Sequence, residues 1–141
     1  MEQKLIPFPI KPNKIVILLS FNLDGKIFPE LFEEIGFSAL WAKSYGETEN
    51  LLRHNKPDVA IQWQAHPNDH SILELVKKYW KETPVLLCLN YNGKLPPDFK
   101  ELGYAGYLTI PMSMQELFEK MYAILTQRKR ELLMELWQKL E

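Results

Sequence analysis

Few residues of this chain have side chains suited to chemistry, and their spacing does not gather them into a reactive set. His66 and His70 stand four apart with Asp69 between them, a spacing that puts two metal ligands on one helix face. Pro67 follows His66 directly and breaks any helix there, so both imidazoles read as solvated loop groups. Cys88, the single cysteine, lies inside an apolar run. It reads as a small core residue, has no internal disulfide partner, and suits a reducing compartment. Asp24 falls in an Asp-Gly turn, and segment 20–25 holds one glycine, too few for a phosphate cradle. No acid, base and nucleophile converge, and the expectation is a protein that is not an enzyme and uses no cofactor or metal.

What those residues can do depends on the elements that position them. The stretch Pro57-Asp58-Val59-Ala60-Ile61-Gln62-Trp63-Gln64-Ala65-His66-Pro67 reads as a strand buried on both faces, ending in a polar loop. Runs 14–19 and 84–89 are of the same kind, 37–43 reads as a further strand, and 103–109 reads as a turn leading into a fifth. Segment 29–36, with proline in its first turn and glycine at its end, predicts a short helix; 47–55 and 97–102 predict two more. Ile72, Leu75, Val76 and Tyr79 recur at helical spacing behind a cap at Asn68 or Asp69. Ser113-Met114-Gln115-Glu116 is a capping box that opens a helix predicted to run unbroken to about Leu140. Strands alternating with helices imply right-handed crossovers, hence a flavodoxin-like three-layer α/β fold with a parallel five-stranded sheet in the order 2-1-3-4-5. Residues 1–13, with Pro7, Pro9 and Pro12, form an extended arm; 14–127 form the domain and 128–141 a helical extension.

The 141 residues suffice for one domain with a sizeable core. Lysine and arginine total 17 against 18 acidic residues, a formal charge of −1, which gives no bulk attraction to nucleic acid or an anionic membrane. No apolar run reaches membrane-spanning length and the first residues lack a signal-peptide pattern, so the expected location is the cytoplasm.

Three stretches in sequence order, 46–52 with 56–59, 57–67 and 103–111, together resemble the receiver domain of bacterial response regulators, over residues 14–125. Gly46-Glu47-Thr48-Glu49-Asn50-Leu51-Leu52, followed by Lys56-Pro57-Asp58-Val59, is similar to the family's second helix running into its third strand. Pro57 to Pro67 has the proline-to-proline length of the phosphorylation strand. Gly103-Tyr104-Ala105-Gly106-Tyr107-Leu108-Thr109-Ile110-Pro111 resembles the GAxxYLxKP run of the fifth strand. The resemblance implies an acceptor aspartate, an acidic pair for Mg²⁺, a hydroxyl residue and a lysine. Those positions fall here on Trp63, on Leu19 and Ser20, on Leu89 and on Ile110. Indole cannot replace a carboxylate nucleophile, nor leucine a magnesium ligand. A one-residue slip would offer Gln62 or Gln64, Phe21 and Asn90, which does not restore the set. The resemblance thus implies a pseudo-receiver, a protein-interaction module in two-component-like signalling whose partners are a kinase, an output domain or another signalling protein. Tyr107 matches the family's aromatic switch position and reads here as a packed strand residue.

Two features remain. Phe21, Tyr45, Trp63 and Tyr91 each follow a strand at the same sheet edge, and could form an aromatic floor for a ligand or partner loop. That pattern supports the alternative of a small-molecule sensor; the plainer reading is that Trp63 fills the space of the missing acidic pocket. On the last helix, Leu117, Phe118, Met121, Ile124 and Leu125 suffice to pack it on the sheet. Leu132, Leu133, Leu136, Trp137 and Leu140 form a second apolar set beyond the basic triplet Arg128-Lys129-Arg130. The triplet reads as a solvated face. The apolar set predicts a homodimer or linker helix; the alternatives are self-association through the fifth strand and its flanking helices, and folding of the set back onto the same domain.

Overall fold

The computed structural model describes residues 14–20, 27–64, 68–89, 94–109 and 113–140. The proposed arm 1–13, together with Phe21, Asp24, His66, Asn90, Tyr91 and Ile110, lies outside the described residues. The elements in order are β1 (Val16–Ser20), α1 (Ile27–Ile35), β2 (Ser38–Ala42), α2 (Tyr45–His54), β3 (Val59–Trp63), α3 (Ser71–Tyr79), β4 (Val85–Leu89), α4 (Phe99–Leu102), β5 (Gly106–Thr109), α5 (Met114–Ile124) and α6 (Gln127–Leu140). The strands form one parallel five-stranded sheet in the order β2-β1-β3-β4-β5.

Continuous apolar strands are explained by cores on both faces. On one face Ile17, Leu19, Val59, Ile61, Leu86 and Cys88 pack with Phe32 and Ile35 of α1 and with Leu117, Phe118 and Met121 of α5. On the other, Leu18, Ala60, Val85, Leu87 and Leu89 pack with Leu52 of α2 and with Ile72, Leu75 and Val76 of α3. Local signals set the helix ends. Ser44 Oγ accepts the Glu47 N–H at 3.1 Å, and the predicted capping box of Ser113 and Glu116 opens α5. The cap position of α3 is His70, while Asp69 one residue earlier accepts the Ser71 N–H at 3.1 Å. Gly36, at φ +121°, ends α1, a conformation that favours glycine.

The last helix corrects the predicted unbroken run. Leu125 is extended, with ψ 156°, and ends α5; α6 then starts again at Gln127. No proline or glycine occurs from Met114 to Leu140, so local sequence does not require the break. Tertiary packing supplies the reason. The break turns α6 back across the amino edge of the sheet. There Leu133 is fully buried and Leu132, Leu136 and Trp137 pack against the α1/α5 core. Trp137 meets Phe118 edge-on, with centroids 5.2 Å apart. Leu136 lies so close to Gly36 that a Cβ there would come within 2.6 Å of its Cδ2. In this structure the second apolar set is therefore seated on its own domain, although Leu140 and Met134 stay exposed.

The basic triplet is likewise only partly solvated. Lys129 Nζ pairs with Asp58 Oδ2 at 3.2 Å and donates to the Lys14 carbonyl. Arg130 Nε donates to the Tyr122 carbonyl at 2.7 Å, with its guanidinium 5.0 Å from the Tyr122 ring centroid. Arg128 is exposed. No helix among the described residues is long and apolar enough to cross a membrane.

Candidate functional site

In an open parallel sheet, ligands meet the carboxyl ends of the strands. The sheet register sets Ser20 beside Gln62, Trp63 beside Cys88, and Leu89 beside Thr109, so the ends of β1, β3, β4 and β5 share one edge. The pleat then divides the side chains. Leu19 is fully buried in the α1/α5 core, and Trp63, half-buried, packs against that same core. Leu89 is buried on the α2/α3 face.

The buried polar groups described at this edge, Ser20, Thr48, Gln62 and Gln64, are committed to structure. Thr48 Oγ1 donates to the Ser44 carbonyl at 2.8 Å. Its one proton being used, the contact of 3.1 Å with Ser20 Oγ has serine as donor. Gln62, 1% exposed, donates through Nε2 to the Asp69 carbonyl at 2.7 Å and accepts the Leu73 N–H through Oε1 at 2.9 Å. Gln64 is also buried; its Nε2 donates to the Lys94 carbonyl at 2.8 Å and its backbone N–H to the Cys88 carbonyl at 2.9 Å. The two glutamines flanking Trp63 thus tie the tip of β3 to the segments that follow β3 and β4. The sequence treats them as misaligned acceptor positions. The overlooked signal is that a polar residue inside a strand buried on both faces must find partners.

His70 is half-buried and its Nδ1 lies 2.8 Å from the Tyr104 hydroxyl, which corrects its reading as a solvated loop histidine. Burial pushes the Tyr104 phenol well above its ordinary range, with Asp69 adding to the shift. Burial also pushes the Cys88 thiol up to about 12, which leaves it protonated and poorly nucleophilic at neutral pH. Tyr107 is partly buried, edge-on to Phe99 with centroids 5.8 Å apart, and Lys120 Nζ lies 4.4 Å from its ring centroid. Of the proposed aromatic floor, Tyr45 is 52% exposed and Trp63 packs into the core, while Phe21 and Tyr91 are outside the described residues.

Mg²⁺ needs oxygen ligands. Leu19 offers none, Ser20 is bonded to Thr48, and Trp63 carries only an N–H donor. The described residues at the positions implied by the family resemblance do not fit that ion. Among the described residues, no group of three or more His, Cys, Asp or Glu could hold a metal.

No protein-family model matches the chain, and no curated protein matches it in sequence. Solved structures do match. A response regulator receiver domain protein from Clostridium thermocellum superposes with a TM-score of 0.66 at 21% identity, covering 82% of this chain and 97% of that one. The chemotaxis protein CheY4 of Vibrio cholerae gives 0.67 at 17% identity, covering 79% and 99%. The receiver domain of a Pseudomonas aeruginosa sensor histidine kinase, which holds a coordinated magnesium ion in its active-site cleft, gives 0.64 at 13% identity, covering 79% and 97%. The architecture of this chain is the receiver fold.

Proposed function

We propose that this chain is a pseudo-receiver: a receiver scaffold that takes part in bacterial signalling by binding protein partners in the cytoplasm, without phosphoryl transfer and without enzymatic activity. The observation that carries this reading is the composition of the carboxyl edge. Phosphoryl transfer to a receiver needs a carboxylate acceptor and clustered charge around the transferred group. Among the described residues, the corresponding positions hold an indole, two buried leucines and a serine bonded to a threonine, braced by two glutamines whose amides are bonded to backbone. A scaffold without its switch chemistry still offers helices and sheet edges to a kinase, an output domain or a second copy of itself.

The test is incubation with acetyl phosphate, or with beryllofluoride, in the presence of Mg²⁺. Intact mass and amide spectra stay unchanged if the reading is right; a stoichiometric Mg²⁺-dependent adduct overturns it. The packing of Trp63 into the α1/α5 core favours its role as a filler over an aromatic ligand floor. A saturable small-molecule response in tryptophan fluorescence, lost in Trp63→Ala, would instead establish a sensor.

A further inference from the structure

We propose that α6 is an exchangeable strap: it leaves its own domain and seats on a second copy of this chain, giving a reciprocal dimer. The inference rests on the self-association included in the reading above and names its element and its partner.

Its basis is a conflict between local sequence and tertiary structure around Leu125 and Thr126. The segment from Met114 to Leu140 has neither proline nor glycine and is rich in strong helix formers. Even so, the chain leaves the helix at Leu125 and re-enters it at Gln127. The first amides of a new helix have no partner within it, so the break removes the amides at the start of α6 from the α5 ladder. The return for this loss is the seating of Leu133, Leu136, Trp137 and Lys129 on the amino edge of the same domain. A second copy presents an identical seat. Exchange keeps each of these contacts and lets α5 and α6 join into one helix with its ladder restored. A short hinge under this kind of tension favours exchange.

The Lys129–Asp58 pair marks the register of the seat, and its partner elements precede β1 and β3. It also allows cis and trans seating to be separated. Lys129→Glu and Asp58→Lys each place like charges together in a chain that pairs with itself. Mixed one to one, an exchanged heterodimer matches both pairs, and no arrangement in cis matches either.

The 141-residue chain is followed by light scattering over a concentration series, with circular dichroism as the check on folding. The expected results are a concentration-dependent dimer of the parent and, on mixing, a heterodimer that forms in strong preference to either reversed chain's own dimer, since like charges meet in the closed monomers and in both exchanged homodimers but not in the heterodimer. Thr126→Pro forbids the continuous helix but suits the bent form, since Leu125 already has the extended ψ that a following proline demands. With two hinges in the dimer it weakens dimerisation by about ten-thousandfold, whereas Thr126→Ala strengthens it. Asp58 also accepts the Val16 amide at 2.7 Å, so Asp58→Lys can fail to fold, in which case the Thr126 pair decides. A parent dimer that Thr126→Pro leaves intact, with folded reversed chains that do not pair, overturns exchange while leaving self-association through another face. A parent that stays monomeric at every concentration overturns both.

Discussion

At the carboxyl edge of the sheet, Gln62 and Gln64 reach from β3 to backbone carbonyls and an amide of neighbouring segments, and Ser20 donates to Thr48. At the amino edge, α6 lies across the ends of the strands with Leu133 fully buried, Trp137 against Phe118, and Lys129 on Asp58. The described residues of the first edge are held by directional bonds, each with a defined donor and acceptor. The second is closed mainly by apolar area. Burial of apolar area is non-directional, so the same patch can be satisfied by its own helix or by another chain's. Hydrogen bonds to particular carbonyls are satisfied only by the segment that presents them. The contrast gives the described buried polar residues of the carboxyl edge specific partners, and gives the amino edge contacts that a second copy can also satisfy.

The largest expected effect comes from emptying the amino edge. Leu133→Ala should cost about 3 kcal/mol in chemical denaturation, because the site is enclosed by α1, α5 and the sheet and cannot collapse freely. A loss under about 1 kcal/mol would show that α6 adds little to the fold and would break the comparison. Next comes the carboxyl edge. Gln62→Leu keeps the volume but leaves the Leu73 N–H and Asp69 carbonyl without their partner, at a cost of about 2 kcal/mol. Hydrogen exchange should then quicken at the start of α3 and remain unchanged in α6. Uniform quickening through both regions would show that the two edges are one cooperative unit.

The smallest effect concerns Cys88, near the carboxyl end of β4. In the unfolded chain its thiol ionises near 9.0, while burial in the fold holds it protonated up to about 12. The sign follows: the folded state keeps a proton that the unfolded state gives up. The contribution of this group is therefore constant below pH 9.0 and turns against folding as pH rises toward about 12. The alkaline fall in stability should be shallower in Cys88→Ala, and a thiol reagent at pH 8 should label Cys88 only as fast as the domain opens. Rapid labelling of the folded protein would show the core around β4 to be looser than its packing.

Much of the architecture is legible along the chain because its signals are local. The proline-led apolar runs, the capping box at Ser113, and Gly36 after a short helix are each readable within a few residues. Alternation of strands and helices then leaves few topologies, and 2-1-3-4-5 is the one observed. The residue types at the strand ends are equally legible: Trp63, Leu19 and Leu89 cannot bind magnesium or accept a phosphoryl group, whatever surrounds them.

What only the tertiary structure decided involves partners distant in the chain. Gln62 and Gln64 are unremarkable in sequence, and their role depends on which carbonyls the loops bring within 3 Å. His70 reads as a loop residue until Tyr104, 34 positions later, meets it. The helix break at Leu125 is invisible in a segment without proline or glycine, because its cause is a seat built from Lys14, Gly36, Asp58 and Phe118. Propensity is a sum over neighbours in sequence, whereas the burial of Leu133 is a sum over neighbours in space, and at this one point the second sum exceeds the first.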